Sequence, residues 1–185
     1  MPDGRAALLV MDVQEEIVGR FEAGELLNRL DRALAAARGA GVLVIYVTVQ
    51  FRAGYPEISR RNRSFGRLVD GDALTGEAGR IPAEIAPQAG DVHVVKKRVS
   101  AFTGSDLEVI LRSQAIDSLV LCGIATSGVV LSTLRQAADL DYELTLLEDC
   151  CLDADAEVHR VLCEKVFPRQ ADVIDGACWD ERLRG

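Results

Sequence analysis

Two charged residues in this chain stand where an apolar run stops. Asp12 closes the run in Leu9-Val10-Met11-Asp12-Val13-Gln14, and Lys96 follows Val92-His93-Val94-Val95. An aspartate at the tip of an apolar strand is costly unless something offsets its charge, and a lysine delivered to the same rim could do so. Such a pair can handle protons, the carboxyl as acid or base and the ammonium as a fixed positive charge. A third feature is Leu121-Cys122-Gly123-Ile124-Ala125-Thr126-Ser127-Gly128-Val129-Val130. It reads as a buried strand, a tight turn of small residues and the first turn of a helix. An elbow of this kind points backbone N–H groups at whatever lies in front of the helix. From spacing alone the signal is weak, because an acid ending a parallel strand is often just a helix cap.

The elements that must position these residues alternate. Strands are predicted at Ala6–Val13, Val42–Val49, Val92–Val95, Ser118–Cys122, Leu144–Leu147 and Ala171–Ile174. Between them, Leu26, Leu27, Leu30, Ala33, Leu34 and Ala37 recur at helical spacing until Gly39 and Gly41. Ser105 and Glu108 form a capping-box pattern for a helix carrying Leu107, Ile110 and Leu111. Val129, Val130, Thr133, Leu134, Ala137 and Ala138 share one helical face, and Ala156–Val166 is a further helix. Continuous rather than alternating strand hydrophobicity means both faces of the sheet are covered. The expected fold is therefore α/β, a three-layer αβα sandwich with a doubly wound, mainly parallel six-stranded sheet. In such sheets sites form beyond the carboxyl ends of the strands, where Asp12, Lys96 and the elbow all lie. Residues 50–90, rich in Arg, Gly and Pro, are too long for an ordinary connection and are expected to form a lid or a subunit contact.

The chain of 185 residues reads as a single domain, long enough to bury roughly 70% of its unfolded surface. Its net charge of −8 argues against nucleic acid or an anionic membrane as partner. No apolar run approaches bilayer length, and Met1–Arg5 leads into a strand without a signal-peptide pattern, so a cytoplasmic protein is expected. The five cysteines, Cys122, Cys150, Cys151, Cys163 and Cys178, lack metal-type or redox-type spacing. Neither a metal nor a cofactor is expected, and no Gly-x-Gly-x-x-Gly follows the first strand.

Three segments resemble the isochorismatase-like, or cysteine hydrolase, superfamily in order and separation. Ala7–Gln14 is similar to the family's opening strand with its catalytic aspartate and following glutamine. Val95-Lys96-Lys97-Arg98-Val99-Ser100-Ala101-Phe102 is similar to its lysine segment, in which the lysine stands six residues before the phenylalanine; that selects Lys96 over Lys97. Gly123–Val129 looks like its nucleophile elbow. The resemblance spans about Ala6 to Ile174. It implies Asp12 and Lys96 as catalytic residues, oxyanion-binding amides at Ala125 and Val129, a cis peptide between Ile124 and Ala125, and substrate contacts from Gln14, Arg98 and Phe102. It also implies a small-molecule substrate and a homodimer or homotetramer.

The resemblance places a catalytic cysteine where this chain has Val129, and valine forms no covalent acyl intermediate. Cys122 is expected to be a buried core thiol, Ser127 has no histidine of obvious placement, and Ser132 is expected to pack. The Asp-x-His-x-x-His metal set of nicotinamidases is absent, since residues 50–56 contain no histidine. The isochorismatases, which the Lys96-x-Arg98-x-Ser100-Ala101-Phe102 segment resembles, also lack the cysteine. They cleave a vinyl ether by protonation from an aspartic acid. Asp12 fits that role if burial keeps it protonated against the pull of Lys96, with Arg98 pairing a substrate carboxylate; Arg98 is equally read as a surface cation beside the strand end. Two readings stay open: a hydrolase that works through the Asp/Lys pair without a cysteine, and a catalytically silent relative that binds a metabolite or serves as an assembly subunit.

Overall fold

A computed structural model describes residues 5–71, 73–76 and 79–185; the lead-in Met1–Gly4 lies outside the described residues. Six strands form one sheet: β1 (Arg5–Met11), β2 (Leu43–Val49), β3 (Val92–Lys96), β4 (Ile116–Ile124), β5 (Glu143–Leu152) and β6 (Asp172–Ile174). Their spatial order is β3-β2-β1-β4-β5-β6, and all five pairings are parallel. The chain moves outward from β1 in both directions, so the switch point falls between β1 and β4. Right-handed crossovers place α2 (Gly24–Gly39) on one face, and α3 (Leu107–Ser113), α4 (Leu131–Asp139) and α5 (Ala156–Val161) on the other. The residues of α2 picked out by helical spacing are all buried, because they are the stripe that covers β1, β2 and β5.

The structure departs from the sequence reading at several element ends. β1 stops at Met11 rather than Val13, because Asp12 takes a left-handed conformation with φ of 57° and its N–H donates to the Val47 carbonyl at 2.8 Å. β4 and β5 are longer than expected, reaching the rim with Ile124 and Leu152. No capping box forms at α3. Asp106 is the N-cap and makes no side-chain cap, while Ser105 Oγ donates to the Ala101 carbonyl and Glu108 pairs with Arg112. The helix expected over Ala156–Val166 is regular only to Val161, then widens into a π-helical turn at Leu162–Val166. Two helices escaped the sequence reading: α1 (Glu15–Val18), too short for a period, and α6 (Gly176–Arg184), which packs on α2 with Trp179 buried.

Within residues 50–90, Phe51, Tyr55 and Leu74 gather with Val49 into a small apolar cluster of their own, packed against Ile17 of α1. The segment is fastened at the carboxyl rim of the sheet. Phe51 donates to the Leu74 carbonyl, Glu15 to that of Arg80, and Gln50 to that of Lys96. Leu74 N–H donates to the Glu16 carboxylate at 3.3 Å. Among the described residues no helix is long and apolar enough to cross a membrane.

Candidate active site

β1 and β3 are separated by β2, so Lys96 must reach across roughly 10 Å of sheet to meet Asp12. Its long stem does so: Lys96 Nζ lies 2.8 Å from Asp12 Oδ2. The ammonium also donates to the carbonyls of Arg98 at 2.9 Å and Val99 at 3.0 Å, which accounts for its three hydrogens. Both groups are withdrawn from water, with Asp12 7% and Lys96 1% exposed. Asp12 Oδ1 is buried and has no hydrogen-bond partner among the described residues. One carboxylate oxygen is therefore tied to the lysine while the other has nothing to accept from.

Burial pushes the Asp12 carboxyl up to about 6, and the attraction of Lys96 only partly opposes it. Burial likewise pulls the Lys96 ammonium down, with Asp12 restoring some of the difference. A carboxyl near 6 carries its proton in about one molecule in ten at pH 7. Both protonation states are then within reach of a reaction at neutral pH.

The elbow stands beside this pair at the switch point. Met11 is in register with Gly123, and a Cβ built on Gly123 would lie 2.0 Å from the Met11 carbonyl oxygen. Only glycine permits that approach, and its φ of +137° needs glycine as well. The peptide between Ile124 and Ala125 is cis. Thr126–Val130 then form a π-helical turn that feeds α4, with the Ala125 carbonyl accepting from Gly128 N–H at 3.0 Å and Val130 N–H at 3.3 Å. Val129 is buried in this turn. The segment after β5 braces it: Ser127 N–H donates to Asp153 Oδ2 at 2.7 Å, and Thr126 Oγ1 lies 2.8 Å from His159 Nδ1. Sequence reasoning paired neither histidine with the elbow; in the structure His159 meets Thr126 rather than Ser127. The only sequence signal was a histidine at the start of the helix following β5. Cys122 is fully buried, its thiol directed at the Leu9 carbonyl and pushed well above the ordinary range by that burial.

The three residues given substrate contacts by resemblance are placed differently. Gln14 is fully buried; its Nε2 donates to the Val49 carbonyl at 3.1 Å and its Oε1 accepts from Val49 N–H at 2.7 Å, so it clamps the tip of β2 beside Asp12. Arg98 donates to the carbonyls of Lys97 and Glu57, at 2.6 and 2.8 Å, and so holds residues 50–90 to the lysine segment. Phe102 is not at the site. Its ring packs 6.2 Å from that of Tyr142, which precedes β5 at the amino end of the sheet. By register, Asp12 is about 20 Å farther along the strands. The reason is the path of the chain after Lys96, which runs back along α4 through bonds of Ala101 N–H to Thr133 and of Ser100 to Gln136. Among the described residues no three His, Cys, Asp or Glu side chains gather as a metal site.

Fold and site together define a doubly wound α/β protein with a buried acid–lysine pair facing a strand-to-helix elbow. Comparison with known proteins agrees: the family model described as the isochorismatase domain matches residues 6–178. The chain belongs to the isochorismatase family. It is 35% identical over 171 residues to the uncharacterized isochorismatase family protein YecD of Escherichia coli O157:H7, covering 90% of each chain. It is 31% identical over 185 residues to the ureidoacrylate amidohydrolase RutB of Pseudomonas syringae pv. syringae (strain B728a), covering 85% of this chain and 74% of that one. A crystal structure of a cysteine hydrolase from Pseudomonas syringae pv. phaseolicola 1448A superposes with a TM-score of 0.89 at 24% identity, over 97% of this chain and 92% of the other. At that identity the likeness is one of fold.

Proposed function

We propose that the protein is a hydrolase of small organic molecules that works through Asp12 and Lys96 without a covalent intermediate. The observation that carries this reading is the buried ion pair with one carboxylate oxygen left without a partner. Oδ1 is the atom that would take a proton from water or give one to a substrate, while Lys96 offsets the charge on Oδ2. With an amide or carbamate, as the name of RutB would suggest, Asp12 removes a proton from water as its oxygen adds to the carbonyl carbon. The amides of Ala125 and Val129 receive the oxyanion, and the amine leaves with that proton. With a vinyl ether, protonated Asp12 gives its proton to the enol carbon and water adds to the oxocarbenium; one of the water's protons returns to the carboxylate and the other leaves on the alcohol as the ether bond breaks. Val129 permits either route and forbids only an acyl-enzyme. A cytoplasmic homodimer or homotetramer is part of the same reading, measurable by light scattering.

The test is a screen of the purified protein against vinyl ethers, amides and carbamates, repeated with Asp12→Asn and Lys96→Ala. Each variant should abolish the turnover found; if both stay active, the assignment is wrong. A second reading, a catalytically silent binder, is favoured by Val129 together with the near-complete enclosure of the pair. An inactive parent whose Val129→Cys variant gains amidase activity would decide for that reading.

A further inference from the structure

The hydrogen bonds of residues 125–127 stay within the elbow or lead to one neighbouring segment. The Ala125 carbonyl is held by Gly128 and Val130, inside the turn. Ser127 N–H is held by Asp153, and Thr126 Oγ1 by His159. Asp153 and His159 both belong to the segment that leaves β5 and opens α5. Thr126 is fully buried, so its hydroxyl depends on a protein partner, and the imidazole supplies it. His159 is fixed in turn from its other side, Nε2 lying 3.7 Å from Cys163 Sγ in the π-helical turn that follows α5. Cys163 lies four residues along, one helical turn from the imidazole. A three-membered line, Cys163–His159–Thr126, thus runs from the α5 layer into the residue that follows Ala125 in the elbow.

We infer that His159 is a positioning residue: through the Thr126 hydroxyl it sets the direction in which the elbow presents the amides of Ala125 and Val129 to the Asp12–Lys96 pair. The inference rests on the elbow being part of the hydrolytic site proposed above, but its physical content is a coupling between one side chain and two backbone groups. The Asp153 carboxylate accepts from Ser127 N–H independently of the imidazole, so loss of His159 leaves the elbow anchored at Ser127 while releasing its Thr126 side. That predicts a reorientation of the turn and not its unfolding.

The experiment uses the full-length, uniformly nitrogen-15-labelled protein and reads assigned amide resonances in His159→Phe, His159→Asn and Thr126→Val. The amides of Ala125 and Val129 should shift in His159→Phe and shift in the same direction in Thr126→Val. His159→Asn, whose side-chain amide can occupy the place of Nδ1, should return them towards the parent positions. Unmoved Ala125 and Val129 amides in His159→Phe, or shifts in His159→Asn as large as those in His159→Phe, would overturn the inference. Thr126→Val gives the same decision if His159→Phe does not fold. Where the screen yields a substrate, His159→Phe should lower kcat by roughly tenfold or more with KM little changed, and His159→Asn should restore most of it. The spectra judge the coupling even if no substrate is found. Turnover that survives Asp12→Asn would instead remove the catalytic reading and leave the coupling standing.

Discussion

Replacing Lys96 by Met should destabilise the protein by an amount that grows with pH. Asp12 has an ordinary value of 3.8 and stands at about 6 in the fold. Between those values the folded chain holds a proton that the unfolded chain has released, so stability falls as pH rises, by about 1.4 kcal/mol per pH unit. Above pH 6 the parent releases the proton in both states and the loss stops near 3 kcal/mol. Without Lys96 no contact among the described residues stabilises the carboxylate, since Oδ1 already lacks a partner there. Its titration then moves further up, and the decline continues at the same slope. The difference between variant and parent should therefore be nearly constant up to pH 6 and widen by about 3 kcal/mol more by pH 8. Its constant part holds the lost bonds to the Arg98 and Val99 carbonyls, offset by the apolar fit of Met. Urea unfolding of both proteins at pH 5, 6, 7 and 8 measures it, and titrating groups other than Asp12 and Lys96 cancel in the subtraction. In Asp12→Asn/Lys96→Met the extra slope should vanish. A difference independent of pH would refute the reasoning, because Asp12 would then not be coupled to Lys96.

The same carboxyl shapes any turnover. kcat/KM for an amide or carbamate should rise to a plateau above about pH 6, and for a vinyl ether should fall above it, so a flat profile from pH 5 to 8 counts against Asp12 in either role. Gln14→Leu should cost about 2–4 kcal/mol in urea unfolding, since it strands both the N–H and the carbonyl of Val49 in a buried site. Gly123→Ala should fail to give soluble folded protein, judged by expression and circular dichroism, because its Cβ would overlap the Met11 carbonyl.

The layer architecture was legible because continuous apolar runs such as Leu8–Met11 and Leu119–Cys122 allow only strands covered on both faces. Asp12 and Lys96 were legible as strand tips, and topology alone brings such tips to one rim. What the sequence hid depends on the path of individual segments. The position of Phe102 turned on the chain's return along α4, which is set by hydrogen bonds of Thr133 and Gln136 whose partners periodicity does not reveal. Gln14 and Arg98 bond to backbone carbonyls and amides, whose positions no residue type announces. His159 was overlooked because its partner is 33 positions away and the helix that carries it changes pitch just beyond it.

Arg98 and Lys97 both grip carbonyls of residues 50–90, while Lys96, their neighbour, grips Asp12. Three consecutive basic side chains thus join residues 50–90, the end of β3 and the tip of β1 through one short stretch of chain, so a substitution that loosens the grip on Gln50 or Glu57 reaches the ammonium through the adjoining backbone. Because burial is what lifts the Asp12 carboxyl, its acidity depends on how tightly this stretch keeps water from the pair.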